Sequence, residues 1–260
     1  MVAPLGIYVI SLVSAQDRRS FMDAQLGRLG LSYELFDAIH GTQNPDHPLF
    51  SKYDDRKRAR LRGSGASLRL SQLGCFASHY LLWEKCVQGQ APIIVLEDDA
   101  ILLPEFMAFY KSAAEFASRY GLVWLQPNRK IPGQAGLALG RIGPFTVKKF
   151  VKGFAGTTGY LITPETARVL LDYCSEWVYP VDNTMDRFYD HKVESIGLDP
   201  VCVTQDDDFE SSINVPDAGG RHSLADTVRR EYANLKDALA RSAHNLAFLL
   251  RAKRAARRSG

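Results

Sequence analysis

The sequence predicts an α/β protein: a largely parallel sheet with helices on its faces, followed by a helical extension. Three observations carry this. Ile93-Ile94-Val95-Leu96 is a short apolar run rich in β-branched residues, the pattern of a strand buried on both faces. The chain opens with a strand pattern (residues 6–12), an amphipathic helix and a second strand pattern (residues 33–39), which suits a right-handed crossover between parallel strands. Its 260 residues and 46% hydrophobic content suffice for one large core.

In the first helix Phe21, Met22, Leu26 and Leu29 share a side, Gly27 weakens the turn and Gly30 ends it. Arg18 and Arg19 stand at the first strand-to-helix turn. They either grip phosphates bidentately or form a solvated helix start. Residues 40–67 lack hydrophobic periodicity and are rich in Pro, Asp, Arg and Gly, which predicts a structureless stretch, a functional lid or a disordered insertion. The basic run Arg56-Lys57-Arg58-Ala59-Arg60-Leu61-Arg62 within it either meets an anionic substrate or is solvated surface. Residues 70–88 form a strong helix with two apolar stripes, Leu73, Phe76, Tyr80, Trp83 and Val87 on one, Cys75, His79, Leu82 and Cys86 on the other.

The buried strand ends in three adjacent carboxylates, Glu97, Asp98 and Asp99. Like charges at the carboxyl end of a core strand call for a cation, and ligands of open α/β sheets sit there. The competing reading is an acidic start to the helix expected over residues 104–119. Next come a strand (residues 122–126), a loop (128–144) and strands at 146–151 and 158–163 separated by Lys152-Gly153-Phe154-Ala155-Gly156-Thr157. A helix follows over residues 164–173. Asp182, Asp186 and Asp190 have helical spacing and are expected on one face, and a last strand over 196–205 leads into Asp206-Asp207-Asp208.

From Ser223 a helical pattern runs through Leu224, Val228, Tyr232, Leu235, Leu239, Leu246 and Leu249, broken at Ser242 and closing on Arg251, Lys253, Arg254, Arg257 and Arg258. Residues 221–260 carry ten Lys/Arg against three Asp/Glu, a balance of +7, so the remainder carries −4 of the net +3. A near-neutral body argues against nucleic acid as a partner. The tail suits either an anionic membrane surface or a second copy in a homodimer, with the membrane favoured by the dense basic end. Cys75, Cys86, Cys174 and Cys202 have no CxxC or zinc-like spacing. With no secretory pattern and no long apolar run, the expectation is a cytoplasmic chain, peripheral on the inner face of the membrane.

Several stretches resemble glycosyltransferase family 25, whose members include lipo-oligosaccharide and collagen galactosyltransferases. They are Leu70-Ser71-Gln72-Leu73-Gly74-Cys75-Phe76-Ala77-Ser78-His79, Trp83-Glu84-Lys85, Leu96-Glu97-Asp98-Asp99, and the opening Tyr8-Val9-Ile10-Ser11-Leu12 with Asp17-Arg18-Arg19. Gly156-Thr157-Thr158-Gly159-Tyr160, Pro180-Val181-Asp182 and the ending Pro200…Gln205…Ser211-Ser212-Ile213 are similar too. The order is consistent over residues 5–213. Members commonly have Gly-Glu where this chain has Ser71-Gln72, and often an acid where Ser212 stands.

The resemblance implies a GT-A fold, a Rossmann-like sandwich, for a domain over residues 1–220; the basic helical tail over 221–260 lies outside the resemblance and is read from its own residues. It also implies an inverting, metal-dependent transfer of a hexose, galactose or glucose, from a UDP-sugar to a glycolipid acceptor. Asp99, with Glu97, would hold Mn²⁺ or Mg²⁺ against the leaving diphosphate. Asp182 or Asp186 would be the general base. Ser11, Arg18, Arg19, Ser78, His79, Glu97, Asp98, Thr157 and Gln205 would contact the nucleotide-sugar. The rival expectations are a metal-dependent phosphohydrolase and a non-catalytic nucleotide- or glycan-binding module.

Overall fold

The structure, a computed structural model, describes residues 5–63, 66–128, 135–205 and 224–258. Its centre is an eight-stranded sheet, ordered β2-β1-β3-β8-β5-β9-β7-β6. The strands are β1 (Gly6–Ser11), β2 (Glu34–Asp37), β3 (Ile93–Glu97), β5 (Leu122–Trp124), β6 (Leu137–Ile142), β7 (Phe145–Lys149), β8 (Gly159–Ile162) and β9 (Ile196–Asp199). The sheet is mixed but mostly parallel in direction: only β7 and β8 run against the rest.

The apolar run of β3 is continuous because its side chains feed two cores in alternation. Ile93 and Val95 enter one core with Phe76, Trp83, Trp124 and Trp177. Ile94 and Leu96 enter the other with Phe106, Phe109 and Phe116. Helices α3 (Leu70–Gly89) and α5 (Pro164–Tyr173) cover the first face, and α1 (Gln16–Arg28) and α4 (Phe106–Arg119) the second. Both stripes expected on α3 face the interior, buried except for the half-buried Cys75 and Val87.

Elsewhere the structure corrects the sequence reading. Residues 40–67 are not structureless: they hold a 3-10 turn (Pro48–Lys52) and α2 (Asp55–Arg62). No residue of α2 is buried, so it has no apolar stripe to announce it. The Asp54 side chain caps it by accepting from Lys57 N at 2.8 Å. Two of its basic residues serve structure: Lys57 pairs with Glu176 at 2.8 Å, and Arg58 donates to Val178 O at 3.0 Å.

The expected loop at 128–144 contains the edge strand β6, hairpinned to β7. The acidic tip of β3 leads not directly into a helix but into β4 (Ala100–Leu102). The expected last strand is two: β9 stays in the large sheet, while beyond Pro200 the strand β10 (Val203–Gln205) pairs with β4 in a second sheet. The helix expected to align Asp182, Asp186 and Asp190 is broken at Arg187 into α6 (Val181–Met185) and α7 (Phe188–His191). Asp206, Asp207 and Asp208 lie outside the described residues.

The last helix, α8 (Leu224–Arg258), runs unbroken through Ser242, whose hydroxyl donates back to Ala238 O at 2.8 Å. One face docks on the body: Asp237 takes Arg187 at 2.7 Å and Arg62 at 3.3 Å, and His244 meets Glu194 at 2.9 Å. The other face leaves Val228, Tyr232, Leu235, Leu239, Leu246 and Leu250 exposed. Among the described residues no helix is long and apolar enough to cross a membrane.

Candidate active site

At the carboxyl ends of β1 and β3 lies a cleft of about 470 Å³, lined by Ser11, Arg18, residues 38–42, Ser71, Cys75, Ser78, His79 and Glu97 to Asp99. Its floor is a close crossing of two chain segments. A Cβ on Gly74 would lie 2.3 Å from Ile39 O, and one on Gly41 would lie 1.7 Å from Leu70 O. Only glycine permits the segment at 39–41 to cross the first turns of α3 this closely. Ser78, fully buried, seals the crossing by accepting from Ile39 N at 2.9 Å and donating to Gly74 O at 2.8 Å.

The three acids of the β3 tip have three different environments. Asp98 is ion-paired: Ser11 Oγ donates to it at 2.7 Å and Arg18 pairs with it at 3.2 Å. Glu97 Oε1 takes the Thr157 hydroxyl at 2.5 Å and lies 3.1 Å from His79 Nε2. The other ring nitrogen of His79 meets the Tyr160 hydroxyl at 2.9 Å, which also accepts from Trp83 Nε1 at 3.0 Å.

Asp99 differs from both. Gln205 Nε2 donates to its Oδ2 at 2.8 Å, but Oδ1 is buried with no hydrogen-bond partner among the described residues. Burial first, then the charges of Glu97 and Asp98, push this carboxyl up to about 7. A buried carboxylate oxygen without a donor, beside further acids, has the chemistry of a hard-cation ligand. A divalent oxygen-seeking ion therefore fits the residues present.

Asp182 and Asp186 face the loop between β7 and β8. Asp182 accepts from Gly156 N at 3.4 Å and from Asn183 N at 2.7 Å, and its charge reaches Cys75 in the cleft. Asp186, 2% exposed, accepts from Phe154 N at 2.5 Å and pairs with Arg241 of α8 at 3.2 Å. Asn245, one turn further along α8, donates to Val151 O at 2.8 Å.

The structure thus gathers Ser11, Arg18, Ser78, His79, Glu97, Asp98, Asp99, Thr157 and Gln205 around one cleft. Arg19 is not brought there. It donates to Leu12 O at 3.0 Å and Ser11 O at 2.9 Å and pairs with Asp37 at 2.5 Å, holding the turn after β1. Sequence reasoning missed Cys75 as a cleft residue, because it sits in an apolar stripe. It also missed Arg241 and Asn245, which look like the solvated face of a tail helix.

The unusual Gln72 has a plain role: its Oε1 accepts from Arg69 N at 3.0 Å, closing the first turn of α3. A neutral amide and a carboxylate perform this capping alike.

A family profile described as glycosyltransferase family 25 (LPS biosynthesis protein) matches residues 5–185. The lipooligosaccharide biosynthesis protein lic2B of Haemophilus influenzae is 26% identical over 247 residues, covering 88% of this chain and 85% of that protein. A glycosyltransferase 25 family member of Aedes aegypti is 30% identical over 203 residues, 73% of this chain but 32% of that longer protein. The lacto-N-neotetraose biosynthesis glycosyltransferase LgtB of Neisseria gonorrhoeae is 29% identical over 196 residues, 68% of this chain and 65% of its own.

Proposed function

The chain belongs to glycosyltransferase family 25, and from that premise we propose that it transfers galactose or glucose from a UDP-sugar, with inversion, to a lipo-oligosaccharide or lipopolysaccharide acceptor. The observation that carries the reading is the buried Asp99 oxygen with no donor among the described residues, in a cleft with two more acids. The acceptor class is taken from the lipooligosaccharide relative.

Asp99, with Glu97 beside it, would hold Mn²⁺ or Mg²⁺, which when bound supplies positive charge for the departing diphosphate. Ser11 and Arg18 hold Asp98 and fix the nucleotide end of the cleft. Asp182 takes the proton of the acceptor hydroxyl as its oxygen bonds to the anomeric carbon, while the bond from that carbon to the diphosphate breaks and its electron pair leaves with UDP. Asp186, already engaged by Phe154 N and Arg241, is assigned to holding the loop. The outward stripe of α8 and its basic end are assigned to an anionic membrane surface.

A panel of UDP-sugars with Mn²⁺, scored for UDP release with and without glycan acceptors, tests the reading. Acceptor-dependent release is expected. Equal release without acceptor would make the chain a phosphohydrolase, and tight UDP binding without turnover a binding module.

A further inference from the structure

We propose that Cys75, His79 and Glu97 form a second, chemically distinct metal site, one for a soft divalent transition ion of the zinc class. Cys75 and His79 lie one turn apart on α3, so both side chains project from one helix face. Glu97 meets them from the end of β3, with its Oε1 3.1 Å from His79 Nε2. One ligand atom from each residue lies within 4.8 Å of the other two. In a tetrahedral zinc shell, bonds of about 2.0–2.3 Å put neighbouring ligand atoms roughly 3.3–3.8 Å apart. The His79–Glu97 pair is already that close, and the thiol need move inward by no more than about 1.5 Å.

The support around the histidine is also that of a metal ligand. Metal-bound imidazoles hydrogen-bond through their second nitrogen to an outer partner that fixes ring orientation. His79 Nδ1 has such a partner in the buried Tyr160 hydroxyl. All three residues line the cleft, so an ion can enter and a fourth coordination position faces the cavity. Thiolate and imidazole select zinc over manganese or magnesium, whereas Asp99, outside this cluster, offers only oxygen.

The site has a consequence for the reaction. Glu97 Oε1 accepts from Thr157 and lies against His79. An ion held by Glu97 and His79 takes the oxygen that Thr157 bonds and withdraws Glu97 from the cation proposed at Asp99, so zinc inhibits transfer. Occupancy of the site does not rest on the transferase reading; the inhibition does.

Cobalt(II) titration of the full chain in manganese-free buffer is the test. The wild type is expected to gain a thiolate-to-cobalt charge-transfer absorption that is bleached by zinc. Cys75→Ser, with Cys75→Ala as a second variant, is expected to lose that absorption while keeping the wild-type circular dichroism. No such absorption in the wild type, or the same absorption in the Cys75 variants, overturns the site. With an assay for transfer, zinc should inhibit the wild type at least tenfold more strongly than Cys75→Ser; equal inhibition overturns the regulatory part alone.

Discussion

Gln205 Nε2 donates to Asp99 Oδ2 at 2.8 Å, joining residues 106 positions apart and orienting the carboxylate whose other oxygen has no donor among the described residues. Asp99→Asn is expected to keep the fold and lower Mn²⁺-dependent transfer by on the order of 10²–10³-fold. It should also abolish the rise in melting temperature that Mn²⁺ gives the wild type. Transfer at the wild-type rate would misplace the cation.

Asp182 and Asp186 separate by what they lose. Asp182→Asn should cut kcat by roughly 10²–10⁴-fold with little change in stability, as removal of a general base does. Asp186→Ala leaves Arg241 and Phe154 N without their buried acceptor and should destabilise the chain by about 3–5 kcal/mol. Denaturant unfolding beside single-turnover kinetics distinguishes the two. The opposite assignment of losses would exchange their roles.

His191 makes the fold acid-sensitive. Its Nε2 lies 3.2 Å from Met185 O, and its Nδ1 accepts from Val193 N at 3.1 Å, which suits the neutral ring. Burial lowers it from 6.5 to about 4. Above pH 6.5 neither state is protonated there. As pH falls from 6.5 toward 4 the unfolded chain takes up a proton that the folded chain refuses, so stability drops by up to about 3 kcal/mol. His191→Gln should lose less over that window, measured by urea unfolding at each pH.

Gln72→Glu should change neither stability beyond about 0.5 kcal/mol nor transfer beyond about twofold, since both residues cap the same N–H. Gln72→Ala should cost about 1 kcal/mol. A large gain of activity in Gln72→Glu would show that the carboxylate has a chemical role.

The outward stripe of α8 is the place to test membrane attachment, because deleting residues 243–260 would also remove the docked His244 and Asn245. Leu239, 62% exposed, and Leu246, 59% exposed, make no core. Leu239→Glu with Leu246→Glu should reduce flotation with anionic liposomes more than tenfold and leave transfer to a water-soluble acceptor unchanged. A wild-type dimer that the double variant splits would assign the face to a second copy.

Much of the sheet was legible because its strands are apolar in the way a doubly covered strand must be: β1, β3 and β8, with α5 starting at Pro164 as expected. What escaped was held by other forces. Nothing in the periodicity announces α2, stabilised by a cap and ion pairs, or β6, a half-exposed edge strand between glycines. The split of residues 196–205 follows from Pro200, which cannot donate to a ladder. Within the cleft, adjacency made Glu97, Asp98 and Asp99 conspicuous, but their unequal partners, Arg18, Thr157 and Gln205, come from distant parts of the chain.

The grip of Arg241 on Asp186 and of Asn245 on Val151 O gives the final helix a second office. Both tethers anchor the loop whose far end, Thr157, bonds Glu97. A shortened chain meant to isolate the catalytic part must therefore extend past Asn245, for a cut at the end of the sheet would leave that wall unbraced.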